Sequence, residues 1–218
     1  MIIGVVGFLG SGKGTVSDIL VEKYGYQKFA FADVLKDTVS VMFDWPRHLL
    51  EGDTDESRKF RETIDEFWDK RLFDKLGKSV TPRYILQLMG TEAGRDVFGE
   101  DIWVSTLERR IRGVENVVIS DVRFPNEIEF INKKMNGMIT RVIRGSEPKW
   151  FDTALDHNRG IRYDMHSSYP EIHISEWAWI GTHFDYVLSN NGTKVELEAC
   201  VKHMLDIFTG PVKLQKSA

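Results

Sequence analysis

Apolar residues along this chain follow two alternating patterns. Ile2–Val6 is a short, almost wholly apolar run, the mark of a strand buried on both faces. Comparable strands are read at 27–31, 116–121, 138–143 and 185–188. Between them the apolar spacing changes to three and four. Residues 12–22 read as a helix, and Leu35, Val39, Met42 and Phe43 mark one face of another. Phe60, Ile64, Phe67, Trp68, Leu72 and Leu76 predict one long helix, stopped by Gly77. Thr81-Pro82 opens the next, with Thr as cap and Pro in the first helical position, and 101–112 continue the helical region. Pro125 opens a helix through Met135, and Thr193-Lys194-Val195-Glu196 is a capping box before a helix bearing Leu197, Val201, Met204, Leu205 and Phe208. Strands alternating with helices predict an α/β fold on a parallel five-stranded sheet.

Two stretches break the alternation. Roughly 33–116 is mostly helical, with residues 44–60 read as a surface connection around Asp44, Pro46, Gly52 and Asp53. Residues 144–180 are aromatic and polar without clean periodicity, too long for a simple connector, and predict a functional flap. The tail after Gly210 reads as loose. A chain of 218 residues buries about 70% of its unfolded surface, so one domain can carry both stretches as insertions.

Composition narrows the classes. With 42% hydrophobic and 28% charged residues the chain is neither disordered nor collagenous. A net charge of -4 argues against a nucleic-acid partner, which needs a basic footprint. The single cysteine, Cys200, excludes an internal disulfide framework. His157, His166, His173 and His183 fit no standard metal spacing. No run of 18 apolar residues exists, and the N-terminus enters a strand without a basic segment, so a cytoplasmic protein without a membrane partner is expected.

The most informative stretch is Gly7-Phe8-Leu9-Gly10-Ser11-Gly12-Lys13-Gly14-Thr15, between a strand and a helix. Glycines let the backbone curl so that several N–H groups converge on one anion, and the helix N-terminus adds its dipole. This is the context of a phosphate loop, with Gly10 to Thr15 on ATP and Lys13 as a full charge on the β- and γ-phosphates. The form resembles the nucleoside monophosphate kinases, adenylate kinase in particular. Gly14 follows Lys13, so the hydroxyl comes one place later, at Thr15, which can meet Mg²⁺ directly or through water. An Asn-Lys-x-Asp base-reading motif is absent; Asn190-Asn191-Gly192-Thr193 follows the last strand instead.

A second set lies further on. Ser120-Asp121-Val122-Arg123-Phe124-Pro125-Asn126-Glu127 begins at the carboxyl end of an apolar strand, where open α/β sheets bind ligands. Asp121 suits Mg²⁺ or its water shell, or a helix cap. Arg123 suits a phosphate. Glu127 stands in the first helical turn, where a carboxylate also offsets the dipole. In Thr81-Pro82-Arg83-Tyr84-Ile85-Leu86-Gln87-Leu88-Met89-Gly90-Thr91-Glu92, ending in a Gly-Thr break, Arg83 can grip a phosphate at two points. Gln87 and Thr91 offer donors and acceptors to a base or sugar, and Trp103 suits packing or a ligand.

These motifs, with Phe31-Ala32-Asp33-x-Leu35-Lys36, Trp103-Val104 and His173-x-Ser175-Glu176 in the same order, resemble the deoxynucleoside monophosphate kinases of tailed bacteriophages from Gly7 to about Thr193. The resemblance implies a three-layer P-loop fold with a helical acceptor-binding insertion at 33–116 and a lid at 144–180. It implies transfer from ATP to a dNMP with Mg²⁺, in viral nucleotide metabolism in the host cytoplasm. It implies Lys13, Arg83, Asp121 and Arg123 as catalytic residues. Asp33, Lys36, Arg83, Gln87, Gly90, Thr91, Trp103, Arg123 and Glu127 would surround the dNMP, with Thr15 and Asp121 at the metal. It also hints at a homodimer. Many members carry a polar or acidic residue in place of Gly14, so that position has no side-chain role here. Arg141, Arg144, Arg159 and Arg162 are lid or hinge candidates, each taken singly reading better as a solvated surface charge. Other readings are a P-loop kinase acting on a sugar, shikimate or coenzyme precursor, and a nucleotide-dependent binding module.

Overall fold

The computed structural model describes residues 1–161 and 164–210. Arg162 and the tail after Gly210 lie outside the described residues. In chain order the elements are β1 (Ile2–Val6), α1 (Lys13–Tyr24), β2 (Gln27–Phe29), α2 (Asp33–Phe43), α3 (Asp55–Glu62), α4 (Glu66–Leu76) and α5 (Pro82–Gly90). They continue as α6 (Asp96–Phe98), α7 (Ile102–Arg110), β3 (Val117–Ile119), α8 (Pro125–Glu129), β4 (Met138–Ile143), α9 (Phe151–Asn158), α10 (Met165–Ser168), β5 (Tyr186–Ser189) and α11 (Lys194–Thr209). The chain divides into two compact units, Met1–Ala30 with Gly113–Ala218, and Phe31–Arg112.

The first unit is built on a five-stranded sheet in the order β2-β3-β1-β4-β5, every neighbouring pair parallel. β1 is central, with Ile3 opposite Val118 of β3 and Val6 opposite Arg141 of β4. Strands flanked on both edges and covered on both faces must be apolar throughout, and all five β1 residues are buried. Ile3 and Val5 pack with Val16, Ile19 and Leu20 of α1 and with Leu197, Val201 and Met204 of α11. Gly4, facing the other way by strand alternation, meets Ile131, Ile139 and Val122. Ile131 belongs to a π-helical turn, Phe130–Lys134, that extends α8. The sheet therefore lies between two helical layers, a three-layer α/β fold. The Thr193 hydroxyl accepts the Glu196 N–H and the Glu196 carboxylate accepts the Thr193 N–H, so the capping box of α11 is formed.

The second unit is wholly helical around Leu35, Val39, Phe43, Trp45, Leu50, Val80, Ile85 and Leu86. Three sequence expectations are corrected here. The long helix over Phe60–Leu76 is two helices, because Asp65 ends one arrangement and starts another. Its Oδ1 accepts the N–H groups of Phe67 and Trp68 at 3.0 Å, capping α4, and its Oδ2 accepts the indole N–H of Trp45 at 2.7 Å. Its own N–H donates to the Val80 carbonyl at 2.9 Å. Residues 44–60 are no surface connection, since Trp45 and Leu50 are buried and Arg47–Leu50 forms a 3₁₀ turn. Nor does the helix break at Gly90-Thr91: Gly90 is right-handed, and a π-helical turn, Thr91–Arg95, leads into α6. Thr81 and Pro82 do open α5, with the Thr81 hydroxyl accepting the Tyr84 N–H.

Replacing Asp65 with alanine removes the cap and leaves the buried Trp45 indole N–H unpaired. A lost cap costs about 1 kcal/mol and an unsatisfied buried donor about 1–3 kcal/mol. Asp65→Ala should therefore destabilise the chain by about 2–4 kcal/mol in urea unfolding followed by tryptophan fluorescence. A loss under about 0.5 kcal/mol would show that Asp65 does not hold the α3–α4 corner.

Candidate functional site

The phosphate loop leaves β1 under tight constraint. Gly7 has φ +148°, and a Cβ there would lie 2.5 Å from the Val142 carbonyl oxygen of β4, so only glycine can turn the chain at this point. The Ser11 N–H donates to the Phe8 carbonyl at 3.2 Å. Gly12 is left-handed (φ 97°, ψ 20°) and Lys13 starts α1. Such an alternation turns successive N–H groups toward one concavity that suits an anion. Gly10, Gly14 and Thr15 are exposed, while Ser11 is buried with its Oγ unpartnered among the described residues. An orphaned hydroxyl in such a loop fits a ligand rich in acceptor oxygens.

Lys13 folds back onto this loop. Its Nζ donates to the carbonyls of Gly7 at 2.6 Å and Phe8 at 2.8 Å. Burial and then the nearby Arg123 charge push its pKa down to about 8, while Glu176 and Asp121 pull the other way.

Asp121, Arg123 and Glu127 follow β3, as their order in the sequence requires. The Arg123 guanidinium donates to the Glu176 carboxylate at 2.5 Å and to the Ser175 carbonyl at 3.3 Å. Glu127 is buried, and its Oε2 accepts the N–H groups of Arg123 at 2.7 Å and Phe124 at 3.0 Å. The structure thus gives Glu127 a task within the loop, holding the backbone that carries Arg123. His173 caps the turn that presents Glu176, its Nδ1 accepting the Ser175 N–H at 3.3 Å. Beside the phosphate loop lies a cleft of about 290 Å³, lined among others by Phe8, Ser11, Arg141, Arg144, Trp150 and Glu176.

Arg141 differs from the other arginines read as lid or hinge candidates. Its guanidinium lies 5.2 Å from the ring centres of Phe151 and Trp179 and 5.8 Å from that of Phe184, and it pairs with Glu147. It ties β4 to the 144–180 segment. Arg144 and Arg159 are exposed. Trp177, Trp179 and Ile180 are buried as packing residues.

The second unit holds the remaining candidates. Asp33 and Lys36 of α2 enter an ion-pair network centred on Arg47 and Glu51. Lys36 reaches Glu51 at 2.6 Å, and Arg47 reaches Asp33 at 3.3 Å, Asp37 at 2.7 Å and Glu51. Arg83 is outside this network and pairs with Glu62. Gln87 lies one turn further along α5, partly exposed. Gly90, Thr91 and Trp103 come together, with the Trp103 indole donating to the Gly90 carbonyl at 2.7 Å. Gly94 makes room for that ring, since a Cβ on it would lie 2.6 Å from the Trp103 side chain. Sequence reasoning did not single out Arg47 and Glu51, the centre of the ion-pair network; their signal was the opposite charges four residues apart.

No family model matches the chain. A protein of Acanthamoeba polyphaga mimivirus, provisionally named a deoxynucleotide monophosphate kinase, is 30% identical over 158 residues, covering 66% of this chain and 74% of that protein. The chain belongs to the deoxynucleoside monophosphate kinases. It is also 37% identical over 84 residues to the deoxynucleoside-5'-monophosphate kinase of Escherichia phage T5, covering 36% of this chain and 33% of that enzyme. Among solved structures, the dephospho-CoA kinase of Campylobacter jejuni aligns with 97% of this chain and 98% of its own, at 13% identity and a TM-score of 0.49. The shikimate kinase of Aquifex aeolicus aligns over 96% and 97%, at 17% identity and 0.44. The fold rests on the sheet order and the loop, not on these likenesses. The chain is thus a phosphotransferase for nucleotide-type substrates, and its loop is the part of this kinase suited to phosphate.

A charged Lys13 is the form that attracts phosphate. With its pKa near 8 in the ligand-free kinase, kcat/KM for the phosphoryl donor should fall as pH rises through about 8. Glu176 works to raise that pKa, so Glu176→Gln should move the alkaline limb to lower pH. A pH–rate profile of the variant that overlays the wild type would show that Glu176 does not act on Lys13.

Proposed function

We propose that the chain transfers the γ-phosphoryl group of ATP to a deoxynucleoside monophosphate, giving ADP and the diphosphate. Kinship with the mimivirus protein named for that substrate class carries the reading. The phosphate loop supports it.

Phosphoryl transfer asks a protein for positioning and charge rather than covalent chemistry. The N–H groups of Gly10 to Thr15 and the Lys13 ammonium hold the donor phosphates. Lys13 exchanges its bonds to Gly7 and Phe8 for bonds to phosphate oxygens. Arg83 and Arg123 are the arginines assigned to the acceptor phosphate; Arg83 pairs with Glu62 and Arg123 with Glu176. Asp33, Lys36, Gln87, Gly90, Thr91 and Trp103 bind the acceptor nucleoside. The acceptor oxygen is already ionised at neutral pH, so no general base is needed. The 144–180 segment covers the donor and excludes water.

Mg²⁺ fits the residues present. Thr15 lies exposed on the first turn of α1, and Asp121 follows β3 near enough to Lys13 to oppose its loss of a proton. A hydroxyl and a carboxylate are the hard oxygen donors Mg²⁺ takes, its other ligands coming from phosphates and water. When bound, the ion neutralises charge on the phosphates.

Coupled ADP-release assays with each dNMP, each ribonucleotide, shikimate and gluconate test the proposal. Release should depend on a dNMP. Dependence on a sugar or shikimate alone, or release indifferent to every acceptor, would overturn it. Lys13→Met should lower the rate on the order of 10³-fold with the fold intact by circular dichroism. Arg83→Lys should raise KM for the dNMP and lower kcat while leaving KM for ATP nearly unchanged, because lysine lacks the planar two-point grip. The combined loss should be about 2–4 kcal/mol in kcat/KM. A defect confined to ATP would put Arg83 on the donor.

A further inference from the structure

Asn190, the first residue beyond β5, joins the sheet to the phosphate loop. Its Nδ2 donates to the Ser11 carbonyl at 2.8 Å across 179 residues of sequence. Its position is fixed independently of that bond. The Asn190 N–H donates to the Ile143 carbonyl at 2.8 Å, which ties the turn to the end of β4. The neighbouring Asn191 accepts the Gly145 N–H at 2.7 Å and donates to the Ser189 hydroxyl at 3.1 Å.

A peptide unit is planar, with its C=O and N–H opposed. Turning the Ser11 carbonyl toward Asn190 therefore turns the Gly12 N–H away from it. That N–H belongs to the left-handed-to-helical step at Gly12–Lys13, a backbone alternation that turns successive N–H groups toward one concavity. If the peptide rotated, a carbonyl oxygen would replace an N–H there, and phosphate would be repelled. The same amide restricts residue 12, since a Cβ on Gly12 would lie 2.1 Å from Asn190 Nδ2.

We propose that Asn190 is a positioning residue for the phosphoryl donor: its amide holds the Ser11–Gly12 peptide in the orientation that receives phosphate. The inference rests on the reading that this loop takes the phosphates of ATP. Asn190 acts through the loop backbone and touches no reacting atom. Binding to a preset loop avoids the ordering that a free one would need at that moment.

Asn190→Leu keeps the size and removes the donor, and Asn190→Ala is a second variant should leucine disturb folding. Three quantities are measured in each: KM for ATP, KM for the dNMP, and the inhibition constant of inorganic pyrophosphate against ATP. Loss of one such hydrogen bond should raise KM for ATP and the pyrophosphate constant together, about three- to tenfold, with KM for the dNMP within twofold. Pyrophosphate has no base or ribose, so an unchanged pyrophosphate constant would overturn the inference, whatever happens to ATP. A parallel rise in both KM values with a lowered Tm would also overturn it, as a general structural effect. Should the wild type show no ATP-dependent transfer, the proposed function fails by itself. Pyrophosphate binding, read as a rise in Tm, then still decides the role of Asn190: weaker stabilisation of the variants supports it, and equal stabilisation overturns it.

Discussion

The end of β1 is the constraint on which the rest depends. A strand buried on both faces and paired on both edges delivers its chain, at Val6, into the narrow space between the ends of its neighbours. Gly7 turns against the Val142 carbonyl with no room for a side chain. Four residues on, the Ser11 carbonyl is held from beyond β5 by Asn190. The loop is thus clamped by backbone on one side and by an amide on the other before α1 begins. The apolar packing of Ile3 and Val5 against α1 and α11 keeps the strand and helix that carry it in place.

Charge then organises what surrounds the loop. Two cations, Lys13 and Arg123, stand close enough for Arg123 to lower the Lys13 pKa. Their repulsion is offset within the protein by Glu176 and Asp121 and by the loop carbonyls that accept from Lys13. Glu176 comes from the 144–180 segment, so part of the attraction that holds this segment is the same positive charge that suits phosphate. Arg141 anchors another part of the segment through aromatic rings and Glu147.

In the helical unit the organising groups are polar residues beside an aromatic core. Asp65 joins a helix cap, an indole N–H and the Val80 backbone. Arg47 gathers Asp33, Asp37 and Glu51, and Arg110 adds to Asp37 at 2.7 Å. Of the residues read as acceptor contacts, Asp33, Lys36, Arg83, Gln87 and Trp103 lie on α2, α5 and α7, whose relative placement these groups help to set.

Much of this was legible in the chain because it is local. Apolar runs, a glycine-rich turn before a helix, Thr81-Pro82 and the Thr193 box each depend on residues within one turn of one another, and steric and hydrogen-bonding rules act at that range. The five parallel strands and the phosphate loop could therefore be read in advance, while the kinase family came from a resemblance carried by the order of several motifs along the whole chain. Asp65 shows where such reading stops: its neighbours have helical spacing, but partners 15 and 20 residues away, Val80 and Trp45, decide that the helix breaks. Glu127 was legible as a first-turn carboxylate, but that it is buried with its carboxylate on the backbone N–H groups of Arg123 and Phe124 was not. Asn190 stood in the sequence as a residue where no base-reading motif was found. Only folding brings it to Ser11, because contacts between distant parts of a chain depend on the order in which strands assemble into the sheet, and no local spacing encodes that order.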